Sequence, residues 1–167
     1  MERIYRLAYN LFAGASFMVV LVIAALTQDR TLYIVPFPWV TLMVMAEFLA
    51  VAVLVVAFRQ TDVLDFLGLR QVIEPEPKQP QRLVMGGLYR YVRHPLYTAG
   101  LVFIWLMPLM TMRVLIIDLA LTVYVVVGAY FEERKLRYEF GQDYADYAAA
   151  TPMFIPFLKK MRSRIPG

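Results

Sequence analysis

Arg93, His94, Tyr97, Glu132 and Glu133 are the residues of this 167-residue chain whose types and spacing best suit chemistry. Arg93-His94-Pro95 opens one apolar run, and Glu132-Glu133-Arg134 closes the next. Pro95 fits the first turn of a helix and holds His94 near an extended conformation. The helix that begins there presents free backbone N–H groups and a positive dipole end, so an anionic carboxylate or phosphate is attracted beside Arg93 and His94. Anchoring among lipid headgroups is the alternative for the same pair. Glu132 and Glu133 stand at the negative end of the second helix, where carboxylates need a cationic partner. Either Arg134, Lys135 and Arg137 neutralise them as a solvated cluster, or one glutamate faces a pocket and holds an ammonium group or ribose hydroxyls. Tyr89, Tyr91, Tyr97, Tyr144 and Tyr147 offer flat faces for a base or a cation. An aromatic belt at the membrane interface is the competing explanation.

The elements that position these groups are membrane helices. Leu96 to Met112 and Val114 to Phe131 are each about long enough to cross a bilayer core at ~1.5 Å per residue. Only Arg113 and its neighbours separate them, so the two form an antiparallel hairpin that returns His94 and Glu132 to one membrane face. Leu7 to Leu26 and Trp39 to Phe58 supply two more runs of about 20 residues, matching a hydrocarbon thickness of roughly 30 Å. The expected fold is all-α: a polytopic membrane protein of about four transmembrane helices in one domain covering residues 1–167. Its spans are about 7–26, 39–58, 96–112 and 114–131, with a loop over 59–95 and a C-terminal segment over 132–167. The first apolar run is longer than the ~7 to 15 residues of a signal-peptide core and is read as a retained helix.

Composition agrees, with 60% apolar residues and a mean hydropathy of +0.58, far above an ordinary soluble domain. Of the seventeen basic residues, all but Arg30 and Arg113 fall at the N-terminus, in the 59–93 loop or after Phe131. By the positive-inside rule both termini are cytoplasmic, in the inner or cytoplasmic membrane. The net charge of +4 sits beside spans, so anionic lipid headgroups are the expected counterions and nucleic acid is not an expected partner. Without cysteine, disulfides, thiolate metal sites and a cysteine nucleophile are excluded. One histidine makes no multi-histidine metal site, and no metal is expected.

No internal repeat and no period-2 strand pattern is present. In the long loop, Thr61 to Gln71 suits a short interfacial helix, and Glu74 to Pro80 is proline-rich and extended. Gly86-Gly87 lets the chain turn sharply before Leu88-Tyr89-Arg90-Tyr91. Past Phe131 the last helix continues as Glu132 to Glu139, with Gly141 as a stop or kink. Asp143 to Ala150 forms a further short helix with Tyr144 and Tyr147 on one face, ended by Thr151-Pro152. Two acids fall inside spans. Glu47 is near the middle of its helix, where a carboxylate costs about 2 to 3.5 kcal/mol without a partner, and is a functional candidate; Asp118 is expected to reach the outer interface in a structural role.

Three of these segments together resemble a known family. Gly87-Leu88-Tyr89-Arg90-Tyr91-Val92-Arg93-His94-Pro95-Leu96-Tyr97, the Glu132-Glu133 pair, and Phe140-Gly141-x-x-Tyr144-x-x-Tyr147 followed by Pro152-x-Phe154-Ile155-Pro156 are similar to the integral-membrane methyltransferases typified by isoprenylcysteine carboxyl methyltransferase. The resemblance covers roughly Leu83 to Phe157. It implies a helical, non-Rossmann fold whose cytoplasmic helices bind S-adenosylmethionine, and the lack of a Gly-x-Gly-x-x-Gly turn agrees. Carried over, Tyr89, His94, Tyr97, Gly100, Glu132, Glu133 and Tyr147 would bind the cofactor, with the Pro152 segment closing the pocket. Arg93, orienting an anionic substrate, and Glu132 are the expected catalytic residues. Ala99 stands where the family commonly has glycine, with Gly100 following. The arginine that eukaryotic members carry just upstream of the glutamate pair is absent from Val125 to Phe131. Prenylcysteine is therefore not the implied acceptor; bacterial relatives that methylate small thiols, and enzymes that methylate phospholipid amines, share the motifs. The acceptor is expected to be a lipophilic or small carboxylate, thiol or amine. A non-catalytic membrane accessory protein on the same scaffold is the alternative reading, and a small transporter centred on Glu47 a third.

Overall fold

The computed structural model describes residues 2–60 and 83–156. Among them are four helices: α1 (Glu2–Leu26), α2 (Trp39–Gln60), α3 (Pro95–Trp105) and α4 (Met112–Ala150). Two short strands, β1 (Thr31–Ile34) and β2 (Leu109–Thr111), and a 3-10 turn at Gly87–Arg90 complete the described elements. The interfacial helix expected over 61–71, the extended spacer over 74–80 and the tail from 157 onward lie outside the described residues.

α2 and α4 are long and apolar enough to cross a membrane, and only 11% of the most apolar window of each is buried within the chain. A soluble core helix would be mostly covered. Met45, Phe48, Leu49 and Val123 instead stand exposed, an apolar surface of the kind a lipid environment covers. The buried contacts between helices are made by small side chains. Ala24, Ala50, Ala57, Ala99 and Ala129 are all buried, which lets the backbones approach closely where apolar burial alone gives no preference for helix over lipid. α1 lies against α4, and α2 against α3.

The helical class holds with one addition. β1 and β2 pair antiparallel, with Thr31 opposite Thr111, Tyr33 opposite Met110 and Ile34 opposite Leu109. Val35 N–H to Pro108 O at 2.9 Å and Met112 N–H to Arg30 O at 3.0 Å extend the pairing, and the Arg113 side chain donates from Nε to Thr27 O at 3.1 Å. Strands of four and three residues are too short to show a period of two in sequence.

This sheet also shortens the third helix. Where a continuous span over 96–112 was expected, α3 ends at Trp105 with Leu106 as its cap. Pro108, which has no N–H to donate, follows within the turn. Eleven helical residues rise about 16 Å, and the three strand residues of β2 add about another 10 Å.

α4 is 39 residues long; the 29 before Gly141 rise about 43 Å and so project past a bilayer core of ~30 Å. Thr111 caps its start, accepting from Val114 N–H at 3.3 Å. At Gly141 the backbone takes φ 54°, ψ −122°, a conformation essentially restricted to glycine. The axis breaks there as expected, and a second helical segment follows to Thr151, whose N–H bonds Tyr147 O at 2.9 Å. Asp118 departs from expectation. It is 3% exposed, and its Oδ2 has no partner among the described residues; an apolar sequence on every side of α4 does not reveal which face turns inward.

Candidate functional site

The hairpin brings the two polar motifs into direct contact. Glu133, on α4 just past the apolar stretch, lies with Oε1 2.6 Å from Arg93 Nε and 3.3 Å from His94 Nε2. Glu132 takes the other side of the same imidazole, its Oε2 standing 3.7 Å from His94 Nδ1 and accepting from the Tyr97 hydroxyl at 3.0 Å. His94 is thus held between two carboxylates, with the Tyr97 ring stacked on it at 5.3 Å and 11° and the Phe154 ring 5.8 Å away.

Pro95 is the first helical residue and His94 the N-cap, with φ −124°. This geometry aims the imidazole back toward α4 while Tyr97 follows on the first turn. The segment after Gly141 folds over the same end. Arg93 N–H donates to Pro152 O at 2.9 Å and His94 N–H to Met153 O at 3.2 Å. Thr98 Oγ1 donates to Phe154 O at 2.9 Å, and the Tyr147 hydroxyl donates to Tyr89 O at 2.7 Å.

The two glutamates differ in setting. The Glu133 side chain is 10% exposed and that of Glu132 is 37% exposed. Burial alone would raise the Glu133 carboxyl, but the hydrogen bond from His94 and the Arg93 charge outweigh it and hold it below the usual range. It is a buried anion whose partners are already in place. Glu132 reaches the surface of the cluster, and its Oε1 has no partner among the described residues.

Of the residues singled out from sequence, Arg93, His94, Tyr97, Glu132 and Glu133 meet directly, and Tyr89 is joined by Tyr147 from the segment after Gly141. Arg93 arrives in an unexpected state: besides Glu133 it donates from Nη1 to Ala148 O at 2.7 Å and Thr151 O at 3.0 Å. Gly100 lies further along α3, half-buried, and a Cβ there would meet nothing within 4 Å. Among the described residues no neighbour requires glycine at that point. Glu47 stands apart from the cluster on α2, half-buried. Tyr144, a candidate flat face in the sequence but not among the residues carried over to cofactor binding, is 1% exposed, packs edge-on to Tyr147, and its hydroxyl has no partner within bonding distance among the described residues. Burial first, and then the nearby Glu133 charge, push its phenol well above the ordinary range. Burial does the same to Tyr147, so both remain hydroxyl donors.

Residues 42–143 match the family model described as phospholipid methyltransferase. The chain is 39% identical over 109 residues to methanethiol S-methyltransferase 2 of Bradyrhizobium diazoefficiens, covering 62% of this chain and 42% of that protein. It is 36% identical over 99 residues to the methanethiol S-methyltransferase of Crocosphaera subtropica, covering 58% and 39%. A third relative, the methanethiol S-methyltransferase of Mycobacterium tuberculosis, is 34% identical over 96 residues, covering 56% and 39%. The matches thus span under half the length of these curated relatives.

Proposed function

Because the chain belongs to the phospholipid methyltransferase family, we propose that it transfers a methyl group from S-adenosylmethionine to a small thiol at the cytoplasmic face of the membrane. The observation that carries this reading is the junction of Arg93-His94 and Glu132-Glu133 at one end of the helices. Support for a thiol acceptor comes from the names of the relatives and from the missing arginine before Glu132. Four membrane crossings with both termini cytoplasmic remain part of the proposal, with α3 and β2 together making the third.

The residues present fit the cofactor. A cationic ligand with an ammonium, a sulfonium and ribose hydroxyls needs an accessible carboxylate, and Glu132 Oε1 supplies one while Tyr97 orients its other oxygen. Tyr144 adds a buried hydroxyl beside the Glu133 carboxylate. In this reading Tyr89, Tyr97, Gly100, Glu132 and Tyr147 line the cofactor site, with His94 and Glu133 behind them. When bound, S-adenosylmethionine supplies an electrophilic methyl carbon. The protein's task is to hold a sulfur nucleophile in line and to exclude water. The segment after Gly141 provides the cover, and Glu132, the ligand-facing carboxylate, is the candidate to receive the thiol proton.

Transfer of labelled methyl from S-adenosylmethionine to methanethiol, with phosphatidylethanolamine as the competing acceptor, tests the reading. Methylated thiol is the expected product. Label on the lipid amine alone would replace the acceptor, and label on neither would favour the non-catalytic accessory role. The transporter reading predicts proton-coupled flux in liposomes, which the present proposal does not.

A further inference from the structure

We propose that Arg93 is a positioning residue: its guanidinium latches the C-terminal strap, residues 142–156, to the start of α3 and so holds Glu133 and His94 in register. Three bonds from one side chain reach three places. Nε meets Glu133 on α4 at 2.6 Å, while Nη1 reaches Ala148 O at 2.7 Å and Thr151 O at 3.0 Å. The two carbonyls lie at the end of the helical segment that follows Gly141, where orphan acceptors and the negative dipole end favour a cation. The Arg93 backbone N–H is bonded to Pro152 O as well, so the residue grips the strap with both main chain and side chain.

Such a grip requires arginine. A planar fork can serve a carboxylate and two fixed carbonyls at once, whereas a lysine offers one compact charge on a flexible stem. It also explains why the side chain is only 8% exposed. With Nε and Nη1 committed to Glu133, Ala148 and Thr151 and the side chain buried, the guanidinium acts on the reaction through Glu133, His94 and the strap. Beyond the Gly141 kink the strap is also tied by Tyr147 to Tyr89 and Thr98 to Phe154.

The latch itself is independent of ligand; its effect on catalysis rests on S-adenosylmethionine binding at this cluster. Full-length protein in nanodiscs, as wild type, Arg93→Lys and Arg93→Gln, is measured by hydrogen exchange without ligand and then by S-adenosylmethionine titration across pH. Both variants are expected to lose about tenfold or more of their exchange protection in 142–156, while α2 keeps its own. Cofactor affinity falls about tenfold or more in parallel. The groups facing Glu133 are Arg93 and His94 at the start of α3, Tyr144 on the strap and Glu132 beside it on α4. Removing the guanidinium takes away one of the groups that hold the Glu133 carboxyl down, so the acid limb of binding moves to higher pH in Arg93→Gln. Unchanged strap exchange in Arg93→Lys, with only the acceptor KM raised, overturns the proposal in favour of a substrate-orienting arginine. Absence of cofactor binding in the wild type would instead remove the methyltransferase reading, and strap exchange would still decide the latch. Arg93→Lys retains the charge and serves as the deciding variant if Arg93→Gln does not fold.

Discussion

At the scale of residues, adjacent glutamates carry unlike tasks because the helix turns them about 100° apart. Glu133 points into Arg93 and His94, and Glu132 points past His94 toward the open side of the cluster. Glu133→Gln leaves the buried guanidinium without its anion and is expected to destabilise the protein by about 3 kcal/mol, read as a lower thermal midpoint. Glu132→Gln should leave that midpoint within about 0.5 kcal/mol while weakening cofactor binding. The Glu133 carboxyl lies below its ordinary value of 4.5 when folded. Its contribution is therefore complete above that value and is lost as pH falls through the lower folded one. Wild type should thus lose stability on acidification below about pH 4.5 more steeply than Glu133→Gln. That His94 and Glu132 lie at one end of the hairpin was legible in sequence, since two antiparallel runs joined by a short turn leave little freedom. The Arg93 partners were not, because Ala148 and Thr151 contribute backbone carbonyls, which every residue possesses.

At the scale of elements, one glycine converts a straight helix into a helix and a strap. Gly141 has φ 54° and no Cβ neighbour to avoid, so its role is conformational. Gly141→Ala is expected to cost about 1 to 3 kcal/mol and to straighten α4, withdrawing Phe154 and Tyr147 from the site; faster cleavage between 142 and 156 in limited proteolysis would report it. The cap at the other end makes a smaller case. Thr111→Ala should lower stability by about 1 kcal/mol without affecting ligand binding. The kink, the Pro95 start and the Thr151-Pro152 stop were readable because glycine and proline mark backbone geometry directly. The shortened α3 was hidden, since Leu106, Met107 and Leu109 are as apolar as the helix before them and the strand that pairs with Leu109 lies some 75 residues away.

At the scale of the whole molecule, the strands tie the loops together at one end and the polar cluster occupies the other, with alanine-lined helix contacts between. Arg113 joins the strand end, bonded to Thr27 O, whereas Arg134, Lys135 and Arg137 follow the cluster. The absence of native cysteine makes orientation directly measurable. Tyr138→Cys, at a position 94% exposed, should react with an impermeant maleimide only after the membrane is opened, and Asp29→Cys should react from outside intact cells. The central claim is that the junction of His94 and Tyr97 with Glu132 and Glu133 is a cofactor site. Its most direct test is isothermal titration of the purified protein with S-adenosylmethionine, beside Glu132→Gln of equal thermal stability. Saturable binding in the wild type that weakens about tenfold or more in the variant is the predicted result; no heat at millimolar ligand, or equal affinity in both proteins, would contradict it.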